Sequence, residues 1–219
     1  HLLSRRQRQM CIRDSVGVGS DDVLAMLFMT FFNSKKPILF PDITYSFYDV
    51  WAEMLRIPYT QIPLDDAFRL DPSDYKCENG GIVFPNPNAP TGAFLSLEVV
   101  EDIIQHNQDV VVIVDEAYID FGGDTAKELT RKYDNVLVVQ TYSKSRSLAG
   151  LRIGYAIGNN ELIKAMNDVK YSYNSYTMNE PSIVLGTAVL EDEEYFQETR
   201  NKIIDTREWF QIEMRKIGF

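Results

Sequence analysis

The stretch that decides the fold of this chain is TYSKSRSLAGLRIGYAIG, residues 141–158, which follows the apolar, strand-like run NVLVVQ. The turn after that strand holds Ser143, Lys144 and Arg146, and Arg152 follows eight positions after the lysine. Arginine and hydroxyl side chains bind phosphate oxygens, and their positive charge favours the neutral, nucleophilic form of a neighbouring amine. The pattern therefore indicates a site for an anionic cofactor with a reactive carbonyl. A solvated basic turn is the alternative interpretation.

Two other predicted strands end in residues that complement this lysine. The run DVVVIVDEAY, residues 109–118, has a continuous apolar core that ends at Asp115, and such runs are typical of parallel sheets covered on both faces. The segment GGIVFPNPNAPTG, residues 80–92, leads from a short strand into a loop that contains Asn88. Ligands of open α/β sheets bind beyond the carboxyl ends of the strands. We therefore expect Asn88, Asp115 and Lys144 to share one pocket.

This set of groups suits pyridoxal phosphate, which needs a lysine for its carbonyl, an acid for its ring nitrogen and donors for its oxygens. In their order along the chain, NPNAPTG, VDEAY and SKSRSLAGLRIGY resemble the motifs of fold type I pyridoxal-phosphate-dependent aminotransferases, and most closely the group that uses histidinol phosphate. The resemblance covers residues 16–219. It implies that Lys144 is the Schiff-base lysine and proton shuttle, that Asp115 pairs with the pyridine nitrogen, and that Tyr118 hydrogen-bonds the phenolic oxygen.

The same resemblance implies how the rest of the cofactor is held. Ser143 and Arg152 correspond to the family's phosphate-binding residues. In GVGSDDVLAMLF, Ser20 and Asp21 match the turn whose backbone amides meet the phosphate at the start of a helix, a position that favours anions. Tyr45, in ITYSFYDVW, matches the aromatic residue that stacks on the ring.

Two further positions carry implied roles. Many relatives have asparagine directly before the proline of the PTG motif, whereas this chain has Ala89 there and Asn88 one residue earlier. We expect Asn88 to reach the phenolic oxygen in its place, and the alternative is that Tyr118 holds this oxygen alone. Asn174, in the tyrosine-rich stretch YSYNSYTMN, matches a position near the substrate.

The alternation of predicted strands and helices indicates an α/β fold, a three-layer αβα sandwich with a mainly parallel sheet. We expect residues 16–175 to form the cofactor-binding large domain and residues 176–219 to lead into a truncated small domain. Family members are longer, so the chain is interpreted as a fragment that lacks both ends. Residues 1–15 hold four of the 22 basic residues and one of the 32 acidic ones, and resemble translated adapter sequence. We therefore expect them to be a non-native leader outside the fold.

The implied reaction is transamination of histidinol phosphate with 2-oxoglutarate in histidine biosynthesis, by a cytoplasmic homodimer. An aminotransferase for aromatic amino acids and a phosphothreonine-type decarboxylase of the same fold remain open alternatives, as does an inactive fragment. The run VVVIVDE is also typical of the acidic strand of P-loop NTPases, but the chain has no GxxxxGK motif.

Composition narrows the classes of partner. The net charge of −10 argues against nucleic acid, whose phosphates an acidic protein repels. With two histidines and two cysteines, neither a zinc site nor a disulfide framework is expected. No run of about 18 apolar residues is present, so no membrane span is expected. The small number of cysteines favours a reducing compartment.

Overall fold

A computed structural model describes residues 13–219 of the protein. Its centre is one seven-stranded sheet in the order β1-β7-β6-β5-β4-β2-β3. The strands are β1 Asp14–Gly17, β2 Ile38–Pro41, β3 Tyr59–Ile62, β4 Ile82–Pro85, β5 Val112–Asp115, β6 Val136–Thr141 and β7 Gly154–Gly158.

Five neighbouring strands, β2 to β6, run parallel, while β7 is antiparallel to both β6 and β1. The residues of β2, β4 and β5 are all buried, as expected for strands covered on both faces. The predicted, mainly parallel sheet is thereby confirmed.

Helices cover the two faces of this sheet. They are α1 Ser20–Phe31, α2 Tyr48–Leu55, α3 Leu97–His106, α4 Leu129–Lys132, α5 Asn160–Tyr173, α6 Glu180–Glu191 and α7 Glu193–Lys216. One apolar core lies between the sheet and helices α1, α2 and α5, with Phe28, Trp51 and Ile163 among its members. A second apolar core lies between the sheet and α3, and it contains Val100 and Ile103. Two cores on opposite faces make the predicted three-layer αβα sandwich.

Strand β1 corrects the predicted start of the fold. Asp14 and Ser15, assigned above to a leader outside the fold, pair with Ile157 and Ala156 of β7. The Ser15 hydroxyl donates to Asn167 Oδ1 over 2.7 Å, so α5 also fixes the strand. The fold therefore begins before residue 16. The prediction that residues 1–12 are translated adapter sequence lies outside the described residues.

Beyond the sheet, the chain continues into helices α6 and α7. The predicted domain boundary near residue 175 falls between α5, which ends at Tyr173, and α6. This division stays a prediction. Within residues 13–219, none of the helices has the length and apolar character needed to cross a membrane.

Candidate active site

A cavity of about 130 Å³ lies where β4, β5 and β6 end. Strand β5 places Asp115 there as its last residue, and the turn after β6 supplies the lysine. Eight of the nine residues predicted to bind a cofactor line this cavity, namely Ser20, Asp21, Tyr45, Asp115, Tyr118, Ser143, Lys144 and Arg152. Residues that are far apart in sequence are thus brought together at the edge of the sheet where α/β folds bind ligands.

Asp115 is the buried acid of the cavity, with 4% of its surface exposed. Its Oδ2 accepts a hydrogen bond of 2.9 Å from the Tyr48 hydroxyl, and its Oδ1 accepts one of 3.3 Å from the Ala117 backbone N–H. Burial raises the pKa of Asp115 to about 6, although these two hydrogen bonds and the nearby Lys144 act in the opposite direction. A buried carboxyl group with a raised pKa is stabilised in its charged form when a cation binds beside it in the cavity.

Tyr48 was not predicted from the sequence, and it is the main partner of Asp115. It lies at the start of α2, is fully buried and has a pKa raised well above the usual range, mainly by burial. The segment ITYSFYDVW offers two tyrosines, Tyr45 and Tyr48, of which only the first matched a family position. The signal for Tyr48 was its place on the buried face of an amphipathic helix, where a hydroxyl requires a partner.

Replacing Tyr48 by phenylalanine removes the hydroxyl that donates to Asp115 Oδ2 and leaves a buried carboxylate oxygen without this donor. We expect a loss of about 1–3 kcal/mol in the free energy of unfolding at pH 7.5, and a pKa of Asp115 above its present value of about 6. Urea denaturation checks the first effect, and NMR titration of the Asp115 carboxyl carbon checks the second. If the pKa of Asp115 does not change, Tyr48 does not control the ionisation of Asp115.

Lys144 and Tyr118 face each other in the cavity, with Lys144 Nζ 4.9 Å from the centre of the Tyr118 ring. The lysine lies in an exposed part of the turn. The next residue, Ser145, is 2% exposed, and its hydroxyl donates to Asp120. The turn with Lys144 is therefore fixed to the turn with Tyr118. Ser143 is held by its backbone N–H, which donates to Thr141 Oγ1 over 3.1 Å.

At the opposite side of the cavity, β7 approaches the start of α1. A Cβ added to Gly154 would lie 2.3 Å from the backbone nitrogen of Ser20, and one on Gly19 would lie 2.5 Å from Arg152 Nη2. Gly19 has a φ of +91° and caps α1 without a side-chain hydrogen bond. The two glycines let the guanidinium of Arg152 lie against the first turn of a helix. An arginine and free helical N–H groups together form an anion-binding corner.

Three residues predicted from the sequence to lie near the cofactor or substrate do not line this cavity. Asn88 does not line the cavity that contains Asp115, although it lines the neighbouring groove together with Lys144 and Tyr118. Its Nδ2 donates over 2.9 Å to Thr91 Oγ1 in its own loop and to Ile43 O in the segment after β2. Ala89 lines the cavity in its place. Direct binding of a cofactor by Asn88 is therefore not favoured by this geometry and stays an untested prediction.

Arg146 and Asn174 also lie away from the cavity. The guanidinium of Arg146 stacks on Phe196 of α7, 4.0 Å from the ring centre, and does not line the cavity, so it is not part of the anion-binding corner. Asn174 is exposed after α5, and its Oδ1 accepts from the Tyr176 N–H over 3.3 Å. Its predicted contact with substrate is not tested by this arrangement.

The chain matches the sequence model of the family "Aminotransferase class I and II" over residues 13–219. It belongs to this family. Among curated relatives, it is 54% identical over 204 residues to histidinol-phosphate aminotransferase of Lactococcus lactis subsp. cremoris strain SK11, a match that covers 93% of this chain and 57% of the relative. It is 52% identical over 205 residues to the enzyme of the same name from Brachyspira hyodysenteriae, with 93% and 58% covered. The chain thus spans somewhat less than three fifths of these relatives.

Solved structures agree with the fold. The histidinol-phosphate aminotransferase of Clostridium acetobutylicum aligns with a TM-score of 0.86 at 23% identity, over 99% of this chain and 66% of the other. The enzyme of the same name from Sinorhizobium meliloti, solved with pyridoxal-5'-phosphate, aligns with a TM-score of 0.82 at 22% identity, over 90% and 55%. At these identities, the likeness establishes the shared aminotransferase fold.

Proposed function

We propose that this chain is the cofactor-binding part of a pyridoxal-phosphate-dependent aminotransferase that acts on histidinol phosphate. The observation that carries the proposal is the single cavity that joins Lys144, Asp115, Tyr118 and Arg152 at the carboxyl ends of the strands. Identity of 54% to a histidinol-phosphate aminotransferase supports this amine substrate. A role in histidine biosynthesis is part of the same proposal.

The donor set of the cavity fits the proposed cofactor. Arg152 and the uncapped first turn of α1, which begins at Ser20, offer positive charge and N–H donors to a phosphate. At the other side, Asp115 is buried and matches a protonated ring nitrogen. Tyr118 supplies a hydroxyl near Lys144, and Tyr45 supplies an aromatic face at the cavity wall. Each polar part of the cofactor thus has a counterpart of suitable charge.

When bound, pyridoxal phosphate supplies a carbonyl that reacts with amines and a ring that withdraws electrons from the substrate carbon. Lys144 Nζ would hold the cofactor at this carbonyl and, once free, would serve as the base that takes a proton from the substrate carbon. Asp115 would keep the ring nitrogen protonated, because a buried carboxylate is stabilised by a cationic partner. The Tyr48 hydroxyl, 2.9 Å from Asp115 Oδ2, keeps that carboxylate oriented.

The remaining parts of the proposal concern partners. We propose 2-oxoglutarate as the amino-group acceptor, a homodimer as the working assembly and the cytoplasm as its location. Asn174 is retained as a residue near the substrate, and Asn88 as an indirect support of the loop that includes Ala89. A broad groove beside Lys144 and Tyr118, lined also by Ile203 of α7, offers the substrate a route to the lysine.

The central test is covalent labelling of the protein with pyridoxal phosphate. We expect a visible absorption band on addition of the cofactor, and borohydride reduction should fix the cofactor to the peptide that contains Lys144. Lys164 and Lys170 of α5 are internal controls, because neither lines the cavity. Label on either of these lysines, with none on Lys144, would contradict the proposed site.

The substrate is tested separately in the full-length protein. Histidinol phosphate should be turned over with 2-oxoglutarate at a higher kcat/KM than phenylalanine. Preference for phenylalanine would favour the aromatic aminotransferase, and release of carbon dioxide from a phosphothreonine-like substrate would favour the decarboxylase. Either result would contradict histidinol phosphate as the substrate, but it would not contradict the proposed cofactor site.

A further inference from the structure

The carboxylate of Asp21 occupies the anion-binding corner of the cavity. Its Oδ2 accepts from Arg152 Nη2 over 3.2 Å, and its Oδ1 accepts from the Tyr45 hydroxyl over 2.8 Å. Both side chains of the Asp21–Arg152 pair are partly exposed, at 49% and 42%. The sequence motif explained only the backbone amide of Asp21, so the function of this carboxylate is an open question.

A phosphate group at this corner competes with the carboxylate for the same guanidinium. Arg152 Nη1 already donates to Ala149 O over 3.3 Å, and Nη2 is the atom that bonds Asp21 and lies against Gly19. A phosphate that contacts both Nη2 and the first turn of α1 therefore arrives where Asp21 Oδ2 now accepts. Two anions at one donor repel each other, so one of them has to give way.

We propose that the Asp21 carboxylate sets the affinity of this phosphate subsite: it pairs with Arg152 and moves aside when a phosphate monoester binds. The inference rests on the proposed function, because it names a residue that tunes the same cofactor site. The hydrogen bond from Tyr45 to the other oxygen, Oδ1, retains the displaced carboxylate at the cavity wall. Asp21 is thus an affinity-determining residue that trades tight anion binding for reversible loading.

The test compares Asp21→Asn with the wild-type chain by calorimetric titration. Pyridoxine 5'-phosphate is the first probe, because it has the ring and the phosphate but no aldehyde to react with Lys144. Inorganic phosphate is the second. The pair is partly exposed, so we expect the dissociation constant of each probe to fall about threefold to tenfold. Asp49→Asn, in the first turn of α2, is the matched control with the same charge change, and should leave both constants unchanged.

The outcomes separate the inference from the proposed function. If both probes bind wild type and Asp21→Asn equally, or the variant more weakly, the inference is wrong, since Asp21 then has no effect or orients Arg152. If inorganic phosphate binds the variant more tightly than the wild type, but pyridoxine 5'-phosphate binds no more tightly than inorganic phosphate, the inference about Asp21 is supported. The same result contradicts pyridoxal phosphate as the cofactor. Asp21→Ala serves as a second variant, and circular dichroism checks that each protein is folded.

Discussion

The protein with Asp115 replaced by asparagine is expected to unfold less readily than the wild type at neutral pH, although its turnover is lost. The change keeps the size of the side chain and an oxygen for the Tyr48 hydroxyl, but it removes a negative charge from a residue that is 4% exposed. In the proposed function, that charge would be useful when a cation, the protonated ring nitrogen, occupies the cavity. Without the cofactor it is a cost to folding.

The pH dependence of this effect follows from the pKa of Asp115, which burial raises from 3.8 to about 6. Below pH 3.8 the carboxyl is protonated in both folded and unfolded protein, so it has no pH-dependent effect. Between pH 3.8 and about 6 only the unfolded state loses its proton, and stability falls as the pH rises. Above pH 6 the cost is constant, at most about 3 kcal/mol.

Urea denaturation of cofactor-free protein tests this expectation. Asp115→Asn should raise the free energy of unfolding by up to about 3 kcal/mol at pH 7.5, and by clearly less at pH 4.5. Asp109→Asn, at an exposed position, is the control and should show neither effect. In the full-length protein, turnover of Asp115→Asn should fall by more than the ~10²–10⁴ typical of one acid–base group. Without the acid the ring nitrogen is no longer held protonated, and the ring becomes a weaker electron sink. A variant that is less stable at pH 7.5 would contradict the role of a buried, costly charge.

The sequence was most informative about the strands that carry the site. Continuous apolar runs such as Val110 to Val114 predicted buried parallel strands, and the residues that follow them line the cavity. This succeeds because parallel strands end at one edge of a sheet. The position of Lys144 followed from the same reasoning, with the resemblance needed only for the individual roles.

Strand β1 was missed for a physical reason. It has four residues, DSVG, with one large apolar side chain, and it lies at the sheet edge beside β7. An edge strand of this length has almost no periodic signal, and its partners, Ala156 and Ile157, lie more than 140 positions away. Its basic neighbours in the sequence favoured a leader instead. Pairing across such distances cannot be read from local pattern.

The direction of single side chains was the other limit. Arg146 and Arg152 are both arginines near the same turn, yet Arg146 stacks on Phe196 and Arg152 lies in the anion-binding corner. Asn88 has the right chemistry, but Ile43 O and Thr91 Oγ1 accept both of its amide hydrogens. Such choices depend on backbone geometry and on neighbours from distant segments, which a single sequence does not contain.

Replacing Lys144 by alanine should have the largest effect of any single substitution on the proposed reaction. The change removes the amine proposed to attach to the cofactor and to move the proton, and within residues 13–219 no second lysine lines the cavity. Loss of proton transfer alone costs ~10²–10⁴ in rate, and loss of the covalent anchor adds to it. The turn itself should persist, because the exposed side chain of Lys144 contributes little to packing and Ser145 still bonds Asp120.

The measurement is turnover of histidinol phosphate by the full-length protein, with and without added methylamine. We expect Lys144→Ala to retain pyridoxal phosphate through Arg152 and the start of α1, to give no borohydride-fixed label, and to regain part of its activity with the external amine. Lys164→Ala, at an exposed position on α5, is the matched control and should behave as wild type. Substantial turnover by Lys144→Ala without added amine would show that another group moves the proton. The proposed role of Lys144 in this cavity would then be wrong.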